Sequence, residues 1–294
     1  MNHDFTVGTY ANKKQEPLTL EQVAHFAPSA MAVAPHESRS DRYTYIPTVN
    51  IIQGLMQNGF QPFAASQSHT RLADRQDFTK HMIRFRHLGT NPTELMRVGD
   101  VVPEVVLINS HDGTSLYKLI AGLYRLVCSN GLMVSDSQLG SISIKHKGNI
   151  LDNVIEGSYK LIESSDNVLS TVNNWTRLQL TSGEQTALAE SAHTLRFADS
   201  EGNVDTPIKP AQLLTPRRYQ DNGSDLWQTF NRIQENTIKG GLSARQPNAV
   251  NPDGRFVRGR KVSTRQVNSI DADVRLNRAL WQLGERMAKL KQAV

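Results

Sequence analysis

The residues best suited to acid–base chemistry are His111 and Asp112, set in the run Asn109-Ser-His-Asp-Gly113. An imidazole beside a carboxylate could relay a proton. Adjacent side chains of an extended chain point apart, however. Asp-Gly is also a strong hairpin signal, and Asn109 and Ser110 can satisfy local backbone groups. The turn reading is preferred. Cys128 is the single cysteine, and no base lies near it in sequence. A nucleophilic thiol needs a lowered pKa and an aligned base, so Cys128 reads as a small residue at a strand end. The nine histidines contain no H-x-x-x-H pair, and His81 and His87 are not at metal-ligand spacing; no structural zinc is expected. The phosphate-cradling loop, the dinucleotide fingerprint before a helix and the serine elbow are all missing from the sequence. Neither a catalytic residue nor a cofactor is expected.

The remaining chemistry is electrostatic. Net charge is +5, but residues 210–294 hold fifteen Lys and Arg against seven Asp and Glu, a net of +8, while residues 1–209 sum to −3. Such asymmetry fits a polyanion-binding region on a slightly acidic body. Residues Arg245 to Arg265 carry six basic residues against one acid, Asp253. Within them, Arg255, Arg258, Arg260, Lys261 and Arg265 surround Gly259, with Phe256 interleaved. Cations for phosphates plus one stacking or wedge group suit backbone contact with single strands. A second row, Lys80, Arg84 and Arg86, projects to one face if residues 78–87 form a strand. That row could neutralise phosphates, or could simply be a solvated outer face.

The elements that must position these residues give an α+β chain. Helical spacing and end signals predict helices over Leu18–Phe26, Pro47–Asn58, Asn149–Asn174 with a bend at Gly157, Ser182–Phe197, Asp225–Lys239 and Ile270–Leu290. Ser182 with Gln185 has the form of a capping box. Phe78–His87, Val101–Ile108, Thr114–Val127, Leu132–Val134 and Ser141–His146 read as an antiparallel β-meander, turning at Asp112-Gly113 and Ser129-Asn-Gly131. A helix from Ser115 competes for the third of these strands, because period does not separate the two. Gly240–Gln266 reads as a polar, irregular basic loop between two helices. The expected organisation is an N-terminal arm (1–40), an α+β core (41–200) and a helical basic C-terminal region (201–294). No apolar run reaches a membrane span, the first fifteen residues lack a secretory h-region, and one cysteine allows no internal disulfide. A cytoplasmic protein with no membrane partner is expected.

Two blocks carry a resemblance. Asn109 through Ser115 with Gly122-Leu-Tyr-Arg-Leu-Val-Cys-Ser-Asn-Gly131, followed by Leu226-Trp, Phe230-Asn-Arg-Ile-Gln-Glu-Asn236 and Gly240-Gly241, resemble the signature of the phage/plasmid-like proteins of unknown function, common in conjugative plasmids and prophages. The match covers roughly residues 40–290 and implies no enzymatic activity. In element order alone the chain is similar to the single-strand annealing recombinases, which form rings on single-stranded DNA; this is analogy of fold. The expected function is therefore nucleic-acid binding for a mobile element, with single-stranded DNA favoured, through phosphates, in recombination or annealing, and with homo-oligomers allowed. The alternative is a protein-binding anti-defence or establishment factor without catalysis.

Overall fold

The computed structural model describes residues 10–11, 16–38, 45–88, 101–126, 130–134, 141–144 and 149–292. Cys128 and Ser129 lie outside them. The chain forms two compact units, residues 1–171 with 268–274, and residues 172–267 with 275–294. The expected boundary at 200/201 falls inside the second.

The first unit is built on an antiparallel sheet. Its strands are β1 (Tyr10–Ala11), β2 (Phe60–Gln67), β3 (His81–His87), β4 (Val101–Asn109), β5 (Tyr117–Arg125) and β6 (Asn130–Met133), hydrogen-bonded in that order; β7 (Ile142–Ile144) also pairs with β5. The expected meander is its part from β3 to β6; β1 and β2 extend it, and β7 returns to β5 instead of adding beside β6. The open choice after Ser115 resolves as strand, because Ile120 and Leu119 stand opposite Val106 and Leu107 along the whole of β4. A register shift in β2 between Pro62 and Ala64 accommodates a residue that cannot donate to the ladder. Helix α1 (Leu20–Phe26) opens with a capping box of Thr19 and Gln22. Helix α2 (Thr48–Gln57) starts behind Pro47, whose fixed φ suits a helix entry.

Both faces of the sheet are covered. On one, Met82, Val106, Ile108, Ile120 and Met133 pack with Ile270. On the other, helix α3 (Ile150–Glu163) lies so close to β5 that a Cβ on Gly157 would sit 2.8 Å from Leu119 Cδ1. Gly157 therefore allows close packing and does not bend the helix. The break comes at Ser164, before α4 (Ser165–Trp175).

In the second unit, α5 (Ser182–Phe197) begins with a reciprocal capping box of Thr181 and Glu184, one residue before the expected pair. Helix α6 (Leu226–Lys239), capped by Asp225, is buried on nearly every face although nine of its fourteen residues are polar. Several of its polar side chains are hydrogen-bonded instead of solvated: Gln234 donates to Asn277, Asn236 to the carbonyls of Leu213 and Thr215, and Arg232 to those of Asp221 and Gly223. Trp175, Trp227, Phe230 and Trp281, the last from α7 (Ile270–Gln292), share an aromatic core.

Between α6 and α7 the expected irregular loop is a two-stranded arm. Strand β8 (Ser243–Arg245) pairs with β11 (Lys261–Ser263), and β9 (Ala249–Val250) with β10 (Phe256–Val257), both antiparallel.

Candidate nucleic-acid interface

The arm forms because its tip encodes a hairpin. In Asn251-Pro252-Asp253-Gly254, proline presets the first turn dihedral and Gly254 takes φ +74°, as a turn with a glycine bulge requires. Gly254 N–H donates to Asn251 O (3.0 Å), Asn251 N–H to Arg255 O (3.0 Å) and Arg255 N–H to Asn251 Oδ1 (2.7 Å). Midway, Gly259 N–H donates to Asn248 Oδ1 (3.0 Å), and the strands approach so closely that a Cβ on Gly259 would lie 1.7 Å from Gln246 O.

The root is held through backbone carbonyls. Arg196 Nη2 donates to Arg265 O (3.1 Å), Gln212 Nε2 to Ser243 O (3.0 Å), and Arg217 Nη2 to Gly240 O. Arg217 is steadied by Asn236 Oδ1 of α6 at 2.8 Å. Beside it, Glu235 binds Arg218 (2.7 Å) and Lys239 (3.0 Å). Burial opposes ionisation of Glu235, but these cations outweigh it and hold its carboxyl below the ordinary range.

Arg255, Phe256, Arg258, Arg260, Lys261 and Arg265 are all exposed. Among the described residues none of these five cations forms a salt bridge. Lys261 stands directly opposite Arg245, so two like charges face one another across the root of the arm. Near the tip, Val250 (68% exposed) and Phe256 (70%) are opposite each other and share a face.

The second expected row stands elsewhere. The structure puts Arg84 and Arg86 in the interior, 4% and 8% exposed. The outward-facing reading of this strand needed a solvated sheet face, and this sheet is covered on both. Two buried guanidinium groups then require a counter-charge, supplied by Glu104 on β4. Arg84 Nε lies 2.5 Å from Glu104 Oε2, and Arg86 Nε 2.9 Å from Oε1. Arg84 also donates to the carbonyls of Leu132 (3.0 Å) and Leu123 (3.3 Å). Its guanidinium fits because Gly131 has no side chain: a Cβ there would be 2.6 Å from Arg84 Cζ. Arg86 is sandwiched between Phe63 and Tyr124, 4.1 and 3.8 Å from the ring centroids. Lys80 is bound by both oxygens of Asp271 at 2.7 Å.

His111 and Asp112 are turn and core residues. Asp112 Oδ1 accepts from the Thr114 amide (2.9 Å) and hydroxyl (2.6 Å). Burial raises its pKa, but these bonds and Ser110 prevail and lower it. His111 is fully buried beside His81, with ring centroids 5.3 Å apart. Both Nε2 atoms reach the Thr48 hydroxyl, at 3.1 and 3.0 Å, and Asn109 Nδ2 donates to it at 3.0 Å. One hydroxyl proton cannot serve two rings, so Thr48 donates to one imidazole and accepts from the other. His81 Nδ1 faces Thr79 O at 3.3 Å and Ser29 Oγ at 3.0 Å. A proton on Nδ1 satisfies that carbonyl and makes His81 Nε2 the acceptor. Burial, then the neighbouring His111, lowers the His81 pKa to about 3, so the ring is neutral. Sequence reasoning missed this network, whose members lie on α2, β3, the end of β4 and the turn that follows it. Among the described residues no group of three His, Cys, Asp or Glu is placed to hold a metal ion, and no helix is long and apolar enough to cross a membrane.

These features define an α+β protein that displays a basic two-stranded arm above a hydrogen-bonded polar helix. The chain belongs to the DUF932 family, a domain of unknown function, whose model matches residues 35–281. It is 43% identical over 275 residues to the UPF0380 protein YafZ of Escherichia coli K12, covering 94% of this chain and 93% of that one. It is 42% identical to the UPF0380 protein YfjQ of the same organism, with the same coverage. No solved structure matches.

Proposed function

We propose that this protein binds nucleic acid by gripping backbone phosphates with its arm. The observation that carries the reading is the set of exposed cations at Arg255, Arg258, Arg260, Lys261 and Arg265, which no carboxylate of the described residues neutralises. Like charges directly opposite on paired strands repel, and Arg245 faces Lys261; a bound polyanion turns that repulsion into attraction. Four of the five cations are arginines, whose planar fork matches phosphate oxygens. The exposed groups of the arm are chiefly cations matched to phosphate, so recognition is of backbone and not of sequence. Arg84 and Arg86, buried and sharing Glu104, and Lys80, paired with Asp271, take no part in this reading. The resemblance to phage- and plasmid-borne proteins supports a mobile-element setting, and the element order shared with annealing recombinases supports a task in recombination.

Fluorescence anisotropy of a labelled oligonucleotide, titrated with salt, tests this. Five phosphate contacts give a slope of log affinity on log salt of about −4.5, or roughly a 500-fold loss between 50 and 200 mM. Arg258→Ala with Arg260→Ala brings the slope to about −2.7 at every sequence tried. Binding no tighter than that of a neutral control, or indifferent to salt, refutes the proposal.

A further inference from the structure

The arm also bears on which form of nucleic acid it takes, and this step rests on the phosphate-binding reading above. Proteins that hold single strands lay successive bases on successive aromatic rings. From Ser243 to Ser263 there is one aromatic residue, Phe256. One ring cannot track a strand. What the arm offers is two paired strands about 4.8 Å apart, a form that enters the grooves of a duplex. The outgoing stretch from Ser243 to Val250 spans about 25 Å when extended, well over half a helical turn of about 34 Å.

The ends of this arm differ chemically. Arg245, Arg260 and Lys261 lie at or near the paired root. Val250 and Phe256 face each other beside the turn, with Pro252 and Asp253 exposed in it and Arg255 exposed next to Phe256. A large apolar pair held out in water on a charged arm has nothing to bury against in the unit that carries it. Apolar groups advanced between base steps from the minor groove unstack them and bend the duplex, while cations behind them hold the phosphates. The tip also has a defined shape. Its turn is closed by three hydrogen bonds around Asn251, and the root is fastened by Arg196, Gln212 and Arg217.

We infer that the ligand is double-stranded DNA, entered from the minor groove, with Val250 and Phe256 wedged into a base step so that the duplex kinks. The experiment uses the full chain and a 30-base-pair duplex carrying a fluorescence energy-transfer pair at its ends. A single strand of the same length is measured in parallel. Wild type should bind the duplex more tightly than the single strand and raise transfer between the ends. Netropsin, which fills the minor groove, should abolish that rise. Phe256→Ala and Val250→Ala lie at exposed positions where the fold is indifferent. Their double variant should keep the salt slope of wild type and lose most of the bend. Tighter binding to the single strand, binding without any rise in transfer, or an equal bend in the double variant overturns the inference and leaves phosphate binding standing. Absence of binding to either form overturns both.

Discussion

Glu104 is the carboxylate shared by two buried guanidinium groups, so its removal has a consequence that can be worked out. Glu104→Gln keeps the shape and the packing of the side chain but takes away the one carboxylate that, among the described residues, pairs with both Arg84 Nε and Arg86 Nε, at 2.5 and 2.9 Å. Removing one partner of a buried pair costs about 3–5 kcal/mol, because the other charge stays in the interior uncompensated. Here two arginines are left. Against a total stability of about 5–15 kcal/mol for a typical protein, that is a large share. The three tryptophans lie in the second unit, so their fluorescence is the wrong probe. Amide exchange along β3, β4 and β5, read by mass spectrometry, reports the sheet directly. A loss of about 3–5 kcal/mol accelerates exchange from the globally protected amides roughly a hundred- to a few-thousand-fold. The salt slope of nucleic-acid binding should not change, since the arm carries it. Exchange within threefold of wild type would show that Arg84 and Arg86 do not depend on Glu104. A steeper salt slope would mean that they reach phosphates after all.

Three further outcomes follow from particular contacts. His81 titrates at about 3 in the folded chain and near 6.5 when unfolded; below pH 6.5 the unfolded state takes up a proton the native state refuses. Its contribution is intact above that pH and is lost as pH falls towards 3, by about 2 kcal/mol at pH 5. Urea denaturation followed by circular dichroism at pH 7.5 and 5 should show that drop, and His81→Gln should be less pH-sensitive by the same amount. Gly259→Ala forces a Cβ against Gln246 O; crowding of this kind costs about 1–3 kcal/mol. It should unprotect the Gln246 amide, which donates to Arg260 O, weaken oligonucleotide binding and leave global stability alone. Glu235→Gln breaks charged hydrogen bonds to Arg218 and Lys239, costing about 1.5–3 kcal/mol, seen as an earlier denaturation midpoint in tryptophan fluorescence.

The local features of this fold were legible. β-Branched runs and Asp112-Gly113 marked the meander, and helical spacing marked α2, α5, α6 and α7 to within two residues. The errors share a cause, which is that burial is not local. Lys80, Arg84 and Arg86 do share a face, as their spacing required, but nothing in residues 78–87 reveals that the face is covered. The clue lay elsewhere, in Glu104 within the apolar strand β4 and Gly131 on β6, two strands away. The same holds for His81 and His111, joined through Thr48, which is far from both in the chain. Gly157 looked like a hinge because helix propensity penalises glycine, and its partner is a leucine on β5. The arm is the exception. Asn251-Pro252-Asp253-Gly254 is a local hairpin signal in plain view, obscured by reading the charge around it as a sign of irregular chain.

The arm is fastened at its base by side chains of the body that grasp its main-chain carbonyls, those of Gly240, Ser243 and Arg265. Every residue type has such a carbonyl. The body therefore does not register which side chains the strands carry, provided the glycines at 254 and 259 remain. Mutation can recharge, lengthen or blunt the projecting part without asking the core to adjust. Ligand preference can drift on this scaffold while folding is held constant, and the same separation lets an engineer graft other hairpins between Ser243 and Ser263.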